Sequence, residues 1–311
     1  MTEPRDPTPA PSVFWQGLSE EHSRQLSEHC FESIKRRQAL RYFTWRWKWS
    51  ATFRSEQLRY LLSHRHPGEW VHAWRSNDLS GDEWGDLEWS KLERHFYCFA
   101  VRLLWAYAED HGDREVLDLP EPLTGGPIPV HEAGRLISQD LANSSIEVEA
   151  MRRALDGQPP RSILEVGAGY GRTAYSLLGI FPDATYTIID IEPAISISRW
   201  YLTQLFDEDR LRFLAPTEVD QIDDHSVDLA VSISSLQEMT ADQVAKYLQL
   251  FDRVACGGAV FLKQWKSWRN DQDDVTMRFE EYPIPRRWLP RFVERAPVQT
   301  RFVQAAYVVP S

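Results

Sequence analysis

Residues 163–171, Ile-Leu-Glu-Val-Gly-Ala-Gly-Tyr-Gly, constrain the fold of this chain more than any other stretch. A short apolar run carries an acid, Glu165, near its end, and glycines follow at 167, 169 and 171. Such a run suits a buried parallel strand that breaks into a tight loop and opens a helix. Glycine permits the backbone angles of that loop and leaves room for a ligand to lie against the main chain. A G-x-G-x-x-G spacing would indicate a dinucleotide with its pyrophosphate at the helix N-terminus. Here the glycines fall at every second residue, and the carboxylate precedes the first by two. Downstream, a second apolar run over 184–189 ends in Asp190, nineteen residues after Gly171, and Pro193 is placed for the first turn of another helix. An acid at the tip of the second strand is placed to accept hydrogen bonds from two ribose hydroxyls. An ordinary turn explains the glycines alone, and a helix cap explains Asp190 alone. The order strand, loop, helix, strand, acid favours a bound cofactor over both.

At 311 residues the chain holds one large domain or two modest ones. Lys and Arg total 35 against 46 Asp and Glu, a net charge of −11. That balance argues against nucleic acid and anionic membranes as partners and fits a soluble enzyme, a cationic small-molecule substrate among the options. Cys30, Cys98 and Cys256 are odd in number and far apart, so neither a disulfide framework nor zinc spacing is present. His64 and His66 resemble a metal pair, but no acid or third histidine stands at helical spacing and Pro67-Gly68 marks a turn, so no metal is expected. Residues 1–12 carry proline at 4, 7, 9 and 11 and no apolar core, which reads as a flexible tail rather than a signal peptide. No apolar stretch approaches the roughly 18–20 residues that cross a bilayer, and the expected location is the cytoplasm. The oligomeric state leaves no signature in the pattern.

The two halves differ. Residues 13–118 read as a helical N-terminal domain, with Leu92, Phe96, Phe99, Leu103 and Tyr107 at the spacing of a buried helix face. This domain is expected to cover the sheet edge and help enclose a substrate. Trp45, Trp47 and Trp49 flank Arg46 and Lys48, and are expected to anchor its core rather than to bind nucleic acid. A Pro/Gly-rich connector over 119–135 interrupts any helix. Residues 136–311 form the cofactor-binding domain, entered through a helix over 138–155. Strands are expected at about 162–167, 184–190, 210–214, 227–234 and 257–265, and helices at about 171–180, 193–206 and 241–252. Alternation of this kind implies an α/β, Rossmann-like, doubly wound parallel sheet. Residues 301–309 supply a last strand.

Ligands of open α/β sheets bind outside the carboxyl ends of the strands. Besides the loops at 167–172 and 190–192, the loop Ser234-Ser235-Leu236-Gln237-Glu238-Met239 emerges there, pinned by a strand before it and a Thr240/Gln243 capping box after it. Glu238 is the acid best placed for chemistry beyond Glu165 and Asp190. The fifth strand brings Lys263 and Trp265 to the same edge, where a ring can face a cation. After the third strand no acid stands at the first loop positions, which leaves backbone groups at 215–217 at that edge. His131-Glu132 beyond the connector, and the charges at Asp271, Asp273, Asp274, Arg286 and Arg287, read as surface.

The segments 125–127, 137–141, 164–174, 189–193 and 232–239 resemble a bacterial family of sugar O-methyltransferases, and the glycine loop alone resembles class I S-adenosylmethionine (SAM) methyltransferases. The resemblance covers about residues 120–265. It implies a class I methyltransferase fold with its last strand inserted antiparallel, SAM as cofactor and S-adenosylhomocysteine as product. It places Glu165, Gly167, Ala168, Gly169, Tyr170, Gly171, Asp190, Ile191 and Ser234 on the cofactor, and in the absence of an acid after the third strand it leaves the adenine to backbone groups at 215–217. Gln237 and Glu238 are then the catalytic candidates, and Ser235, Lys263 and Trp265 the acceptor-binding ones. A biosynthetic sugar or aminocyclitol hydroxyl is the implied acceptor, deprotonated by Glu238. An amino or guanidino acceptor is the alternative, with Glu238 holding the cation and Glu147, Glu149 or Glu280-Glu281 as a second acid. A non-catalytic SAM sensor is the third reading, and a polar 234–239 loop would be unexpected in it.

Overall fold

The computed structural model describes residues 31–36, 52–75, 84, 89–270 and 274–311. The tail at 1–12, Cys30, the tryptophans at 45, 47 and 49, and Asp271 and Asp273 lie outside the described residues. The chain forms two compact units, one over 150–296 and 301–311, the other over 31–149 with 297–300 among the described residues. The division falls at Glu149/Ala150, inside a helix, whereas the connector at 119–135 is where composition changes.

The smaller unit contains helices α1 (Thr52–Ser63), α2 (Pro67–Arg75), α3 (Lys91–His111) and α4 (Arg114–Asp118), a hairpin of β1 (Val130–Glu132) and β2 (Arg135–Ile137), and most of α5 (Gln139–Ala154). Helix α3 starts at a capping box between Ser90 and Glu93. The periodicity predicts one buried face, but almost every residue from Tyr97 to Ala108 is buried. Leu92 is 61% exposed, because it lies in the first turn, ahead of the buried length. The connector is non-helical as expected, and Gly125 and Gly126 adopt positive φ against residues 32–36. Beneath it Lys35 and Glu121 form a buried ion pair at 2.7 Å, and Ser138 donates its hydroxyl to the same carboxylate. Ser138 also caps α5 through Leu141 N–H at 3.0 Å. The β1–β2 hairpin turns on Ala133 and Gly134, both at positive φ. Three-residue strands and an alanine in a turn that favours Asn-Gly leave little sequence signal for it.

The larger unit is built on seven strands: β3 (Ser162–Val166), β4 (Thr185–Ile189), β5 (Leu211–Leu214), β6 (Leu229–Ile233), β7 (Ala259–Trp265), β10 (Leu289–Arg295) and β11 (Phe302–Val308). Their spatial order is β10-β11-β7-β6-β3-β4-β5, and β11 runs antiparallel to both its neighbours while the other pairs are parallel. Within this sheet the chain order is therefore sixth, seventh, fifth, fourth, first, second, third, the class I methyltransferase arrangement. All five expected parallel strands and the inserted last strand are present. Helices α6 (Arg172–Ile180), α7 (Ala194–Leu202) and α8 (Ala241–Val254) connect them. The seventh partner, β10, escaped the sequence reading because an edge strand buries little; Leu289 and Val293 remain 58% and 53% exposed. A small hairpin, β8 (Ser267–Asn270) and β9 (Val275–Arg278), is inserted between β7 and β10.

Near-continuous apolar strands account for the core. Leu164, Val166, Ala230 and Leu262 bury one face under Val244, Leu248 and Phe251 of α8. The strand order reverses at β3, whose neighbours β4 and β6 lead away in opposite directions. A crevice at the carboxyl ends of β3 and β6 is the position this topology reserves for a ligand. No helix among the described residues is long and apolar enough to cross a membrane.

Candidate active site

β3 delivers Glu165 to the crevice with its side chain 1% exposed. Tyr186, two residues before Glu165's partner on β4, donates its hydroxyl to Glu165 Oε2 at 2.8 Å. Burial raises the Glu165 carboxyl to about 7, while the Tyr186 hydroxyl, Arg172 and Thr173 act in the opposite sense. Gly167 follows, its N–H donated to Ile189 O at 2.9 Å. Its φ is +80°, and a Cβ there would stand 2.0 Å from Ser235 Oγ. Gly171 caps α6 at φ +97°, where a Cβ would meet Leu202 Cδ1 at 2.9 Å. The room that glycine leaves at these two positions is thus taken by the protein itself. Gly169 lies between them at φ +60°, and the ring of Tyr170 is buried edge-on against Tyr201 of α7.

Asp190 stands at the tip of β4. Its carboxylate accepts from Gly169 N–H at 3.1 Å, from Ile191 N–H at 2.8 Å and from the Ala168 N–H. The loop residues expected at the cofactor therefore converge on one acid. Burial raises this carboxyl to about 7 despite those three donors. Asp190 in turn raises Glu165. A cation placed between them would relieve both acids, and an anion would not.

The third loop is held from beneath. Ser234 turns at φ +55° and gives its N–H to Lys263 O at 2.7 Å. Gln264, fully buried, accepts on Oε1 from Ser235 N–H and Leu236 N–H, both at 3.1 Å. Its Nε2 donates to Ser232 O at 2.9 Å and Ser232 Oγ at 3.1 Å. An amide in the interior of an apolar strand was the signal for this role, and the sequence reading did not assign it. Beyond Ser235 comes one 3₁₀ turn, Leu236–Glu238, and the Thr240/Gln243 capping box opens α8 as expected. Gln237 and Glu238 are both buried, and Gln237 Nε2 donates to Ser234 Oγ and to Glu238 Oε1, each at 3.2 Å.

Lys263 and Trp265 share the opposite face of β7 from Gln264. The Lys263 ammonium lies 5.7 Å from the centre of the Phe302 ring, and Trp265 packs on Phe302 and Trp268 at 5.0 and 5.4 Å. At the expected adenine subsite, Ala215 gives its N–H to Glu218 at 2.7 Å, and Pro216 has none to give. Of the candidate second acids, Glu149, Glu280 and Glu281 are exposed, while Glu147 is buried in the smaller unit. His64 stacks on Tyr60, and His66 Nδ1 accepts from Gly68 N–H. Arg102 binds Glu132 Oε2 at 2.7 Å and the His131 carbonyl at 2.6 Å. Arg287 departs from a merely solvated charge, since it clamps Asp252 and the Pro310 carbonyl.

Two outcomes follow from this geometry. Gln264→Leu keeps the volume but strands the Ser235 and Leu236 N–H groups, and should destabilise the protein by about 2–4 kcal/mol. A lower urea midpoint at constant m-value would show it; an unchanged midpoint would contradict it. Glu165 titrates at about 7 when folded against 4.5 as a free carboxyl, so between these values the folded state holds a proton the unfolded chain has lost. Its stabilising contribution is therefore complete at low pH and is lost as pH rises through about 7. Glu165→Gln should raise the Tm above wild type at about pH 8 and much less at about pH 5, whereas equal shifts at both would refute the linkage.

No protein-family model and no curated protein sequence matches the chain. Among solved structures it is similar to the Burkholderia thailandensis 1,6-didemethyltoxoflavin-N1-methyltransferase bound to S-adenosylhomocysteine, at 20% identity and TM-score 0.42 over 54% of this chain and 76% of that one. It is similar to the N-methyltransferase NodS of Bradyrhizobium japonicum with S-adenosylhomocysteine, at 14% identity and TM-score 0.42 over 67% of this chain and 99% of that one. A third is an O-methyltransferase family protein of Burkholderia thailandensis, at 12% identity and TM-score 0.39 over 55% of this chain and 60% of that one.

Proposed function

We propose that this chain is a SAM-dependent methyltransferase that methylates a hydroxyl of a small polar metabolite. The observation that carries the reading is the placement of two acids, Glu165 and Asp190, at a glycine loop whose N–H groups Asp190 accepts, at the sheet's switch point. SAM bears an ammonium, a sulfonium and a ribose diol, which match those acids in charge and in hydrogen-bonding character. On this reading Glu165 and the 167–171 loop hold the amino-acid end, and Asp190 adds the ribose hydroxyls to the N–H groups it already accepts. Bound SAM supplies an electrophilic methyl for in-line displacement.

The chain's own residues supply alignment and one proton transfer. Glu238 takes the proton from the acceptor hydroxyl, and the Gln237 amide at 3.2 Å orients its carboxylate. Gln264 keeps the turn that carries both from shifting. Ser235, Lys263 and Trp265 are the proposed walls of the acceptor site. The hydroxyl, rather than an amine, is supported by the likeness of the 232–239 loop to bacterial sugar O-methyltransferases and by the exposure of Glu149, Glu280 and Glu281.

Transfer of label from SAM to a panel of sugars, aminocyclitols and amino acids would identify the acceptor. With it, Glu238→Gln should lower kcat by roughly 10²–10⁴ with little change in SAM affinity. A parallel rise in KM would point to a cationic nitrogen acceptor instead. Wild-type kinetics in Glu238→Gln would remove this residue from the mechanism.

A further inference from the structure

Among the described residues, three buried polar atoms around the Leu236–Glu238 turn have no hydrogen-bond partner: Gln237 Oε1, Tyr282 Oη and Trp268 Nε1. Gln237 is 1% exposed and Tyr282 6%. The hairpin of β8 and β9 packs against the turn, with Trp268 on β8 paired to Met277 on β9. Tyr282 follows that hairpin, in one apolar cluster with Leu236, Met277 and Phe279. Burial raises the Tyr282 phenol, and the nearby Glu238 carboxylate raises it further. Each such orphaned group is costly, and native interiors hold few of them. Three beside one turn that also carries a buried carboxylate mark a place built for a polar ligand.

Their chemistry limits what that ligand is. Gln237 Nε2 donates to Glu238 Oε1, and a carboxylate only accepts, which fixes the amide orientation and leaves Oε1 as an acceptor. Trp268 Nε1 only donates, and a phenol does either. In donor and acceptor character one hydroxyl complements all three, giving its hydrogen to Gln237 and receiving from Trp268 and Tyr282. An ammonium does not, because it has no lone pair for the indole. Gln237 touches Glu238 directly, so a group bound at its oxygen neighbours the group facing that carboxylate, as adjacent ring hydroxyls do.

We infer that Gln237, Tyr282 and Trp268 form a subsite for a second hydroxyl of the acceptor, vicinal to the one that Glu238 deprotonates. The substrate is then a vicinal diol, and Tyr282 and Trp268 are specificity-determining residues supplied by the β8–β9 insertion. This rests on the methyltransferase reading of the same site.

The test is calorimetry with cis-1,2-cyclohexanediol and cyclohexanol as probes on the full chain saturated with S-adenosylhomocysteine. The diol should bind about tenfold more tightly, the worth of one or two additional hydrogen bonds. Tyr282→Phe should remove most of that gap while leaving cyclohexanol and S-adenosylhomocysteine affinities unchanged. Trp268→Phe, which removes the indole donor and keeps an aromatic ring, serves as the second variant if Tyr282→Phe does not fold. Equal affinity for the two probes, no binding of the diol, or a gap that survives in the folded variants would overturn the subsite. If S-adenosylhomocysteine itself does not bind, the methyltransferase reading fails, and the same two probes on the free protein still decide the subsite.

Discussion

The abutment of Gly167 and Ser235 is the constraint on which the rest of the site depends. A side-chain carbon at 167 would stand 2.0 Å from the serine hydroxyl, well inside van der Waals contact. The loops after the first and fourth strands of the sheet therefore close on one another only because one of them has no side chain there. Everything on the third loop is placed relative to that contact. Gln264 secures the loop from beneath with its two donors and one acceptor, the capped start of α8 secures its far end, and Glu238 is left buried at a defined position. Precision of this kind is what alignment of a nucleophile with a methyl group requires.

The second organising feature is charge held against its preference. Glu165 and Asp190 are carboxylates that burial drives towards protonation, and each is restrained by hydrogen bonds from its own surroundings. Acids withdrawn from water without a matching cation are costly, and Glu165 is fully buried while Asp190 is partly so. Their position at the carboxyl edge of the sheet fits a crevice whose stability is completed by a cationic ligand. Binding and stability are linked in such a crevice: a ligand held only by the folded protein stabilises it in step with its affinity and concentration.

The parallel sheet was legible because its strands are short apolar runs bounded by glycine, proline or acid, and helices of amphipathic period separate them. Glu165, Asp190 and the 234–239 loop were legible for the same reason, each being the polar end of an apolar strand. What lay hidden depended on contacts distant in sequence. The role of Gln264 needs Ser232 and Ser235 beside it. The packing reason for Gly167 needs Ser235, 68 positions away by residue number. The edge strand β10 and the β8–β9 hairpin are too exposed or too short to show a strong period, so the burial of Tyr282 and of the Trp268 indole N–H carried no sequence signal. The all-round burial of α3 was likewise invisible, since periodicity reports one face and tertiary packing supplied the others.

The most direct measurement is the affinity of the intact protein for S-adenosylhomocysteine by calorimetry, alongside that of folded Asp190→Ala. The account predicts saturable one-to-one binding to wild type and a loss of about 2 kcal/mol or more in the variant, as for removal of a charged hydrogen-bond acceptor. Absence of binding to wild type, or equal affinity in the variant, would contradict the assignment of this crevice to SAM.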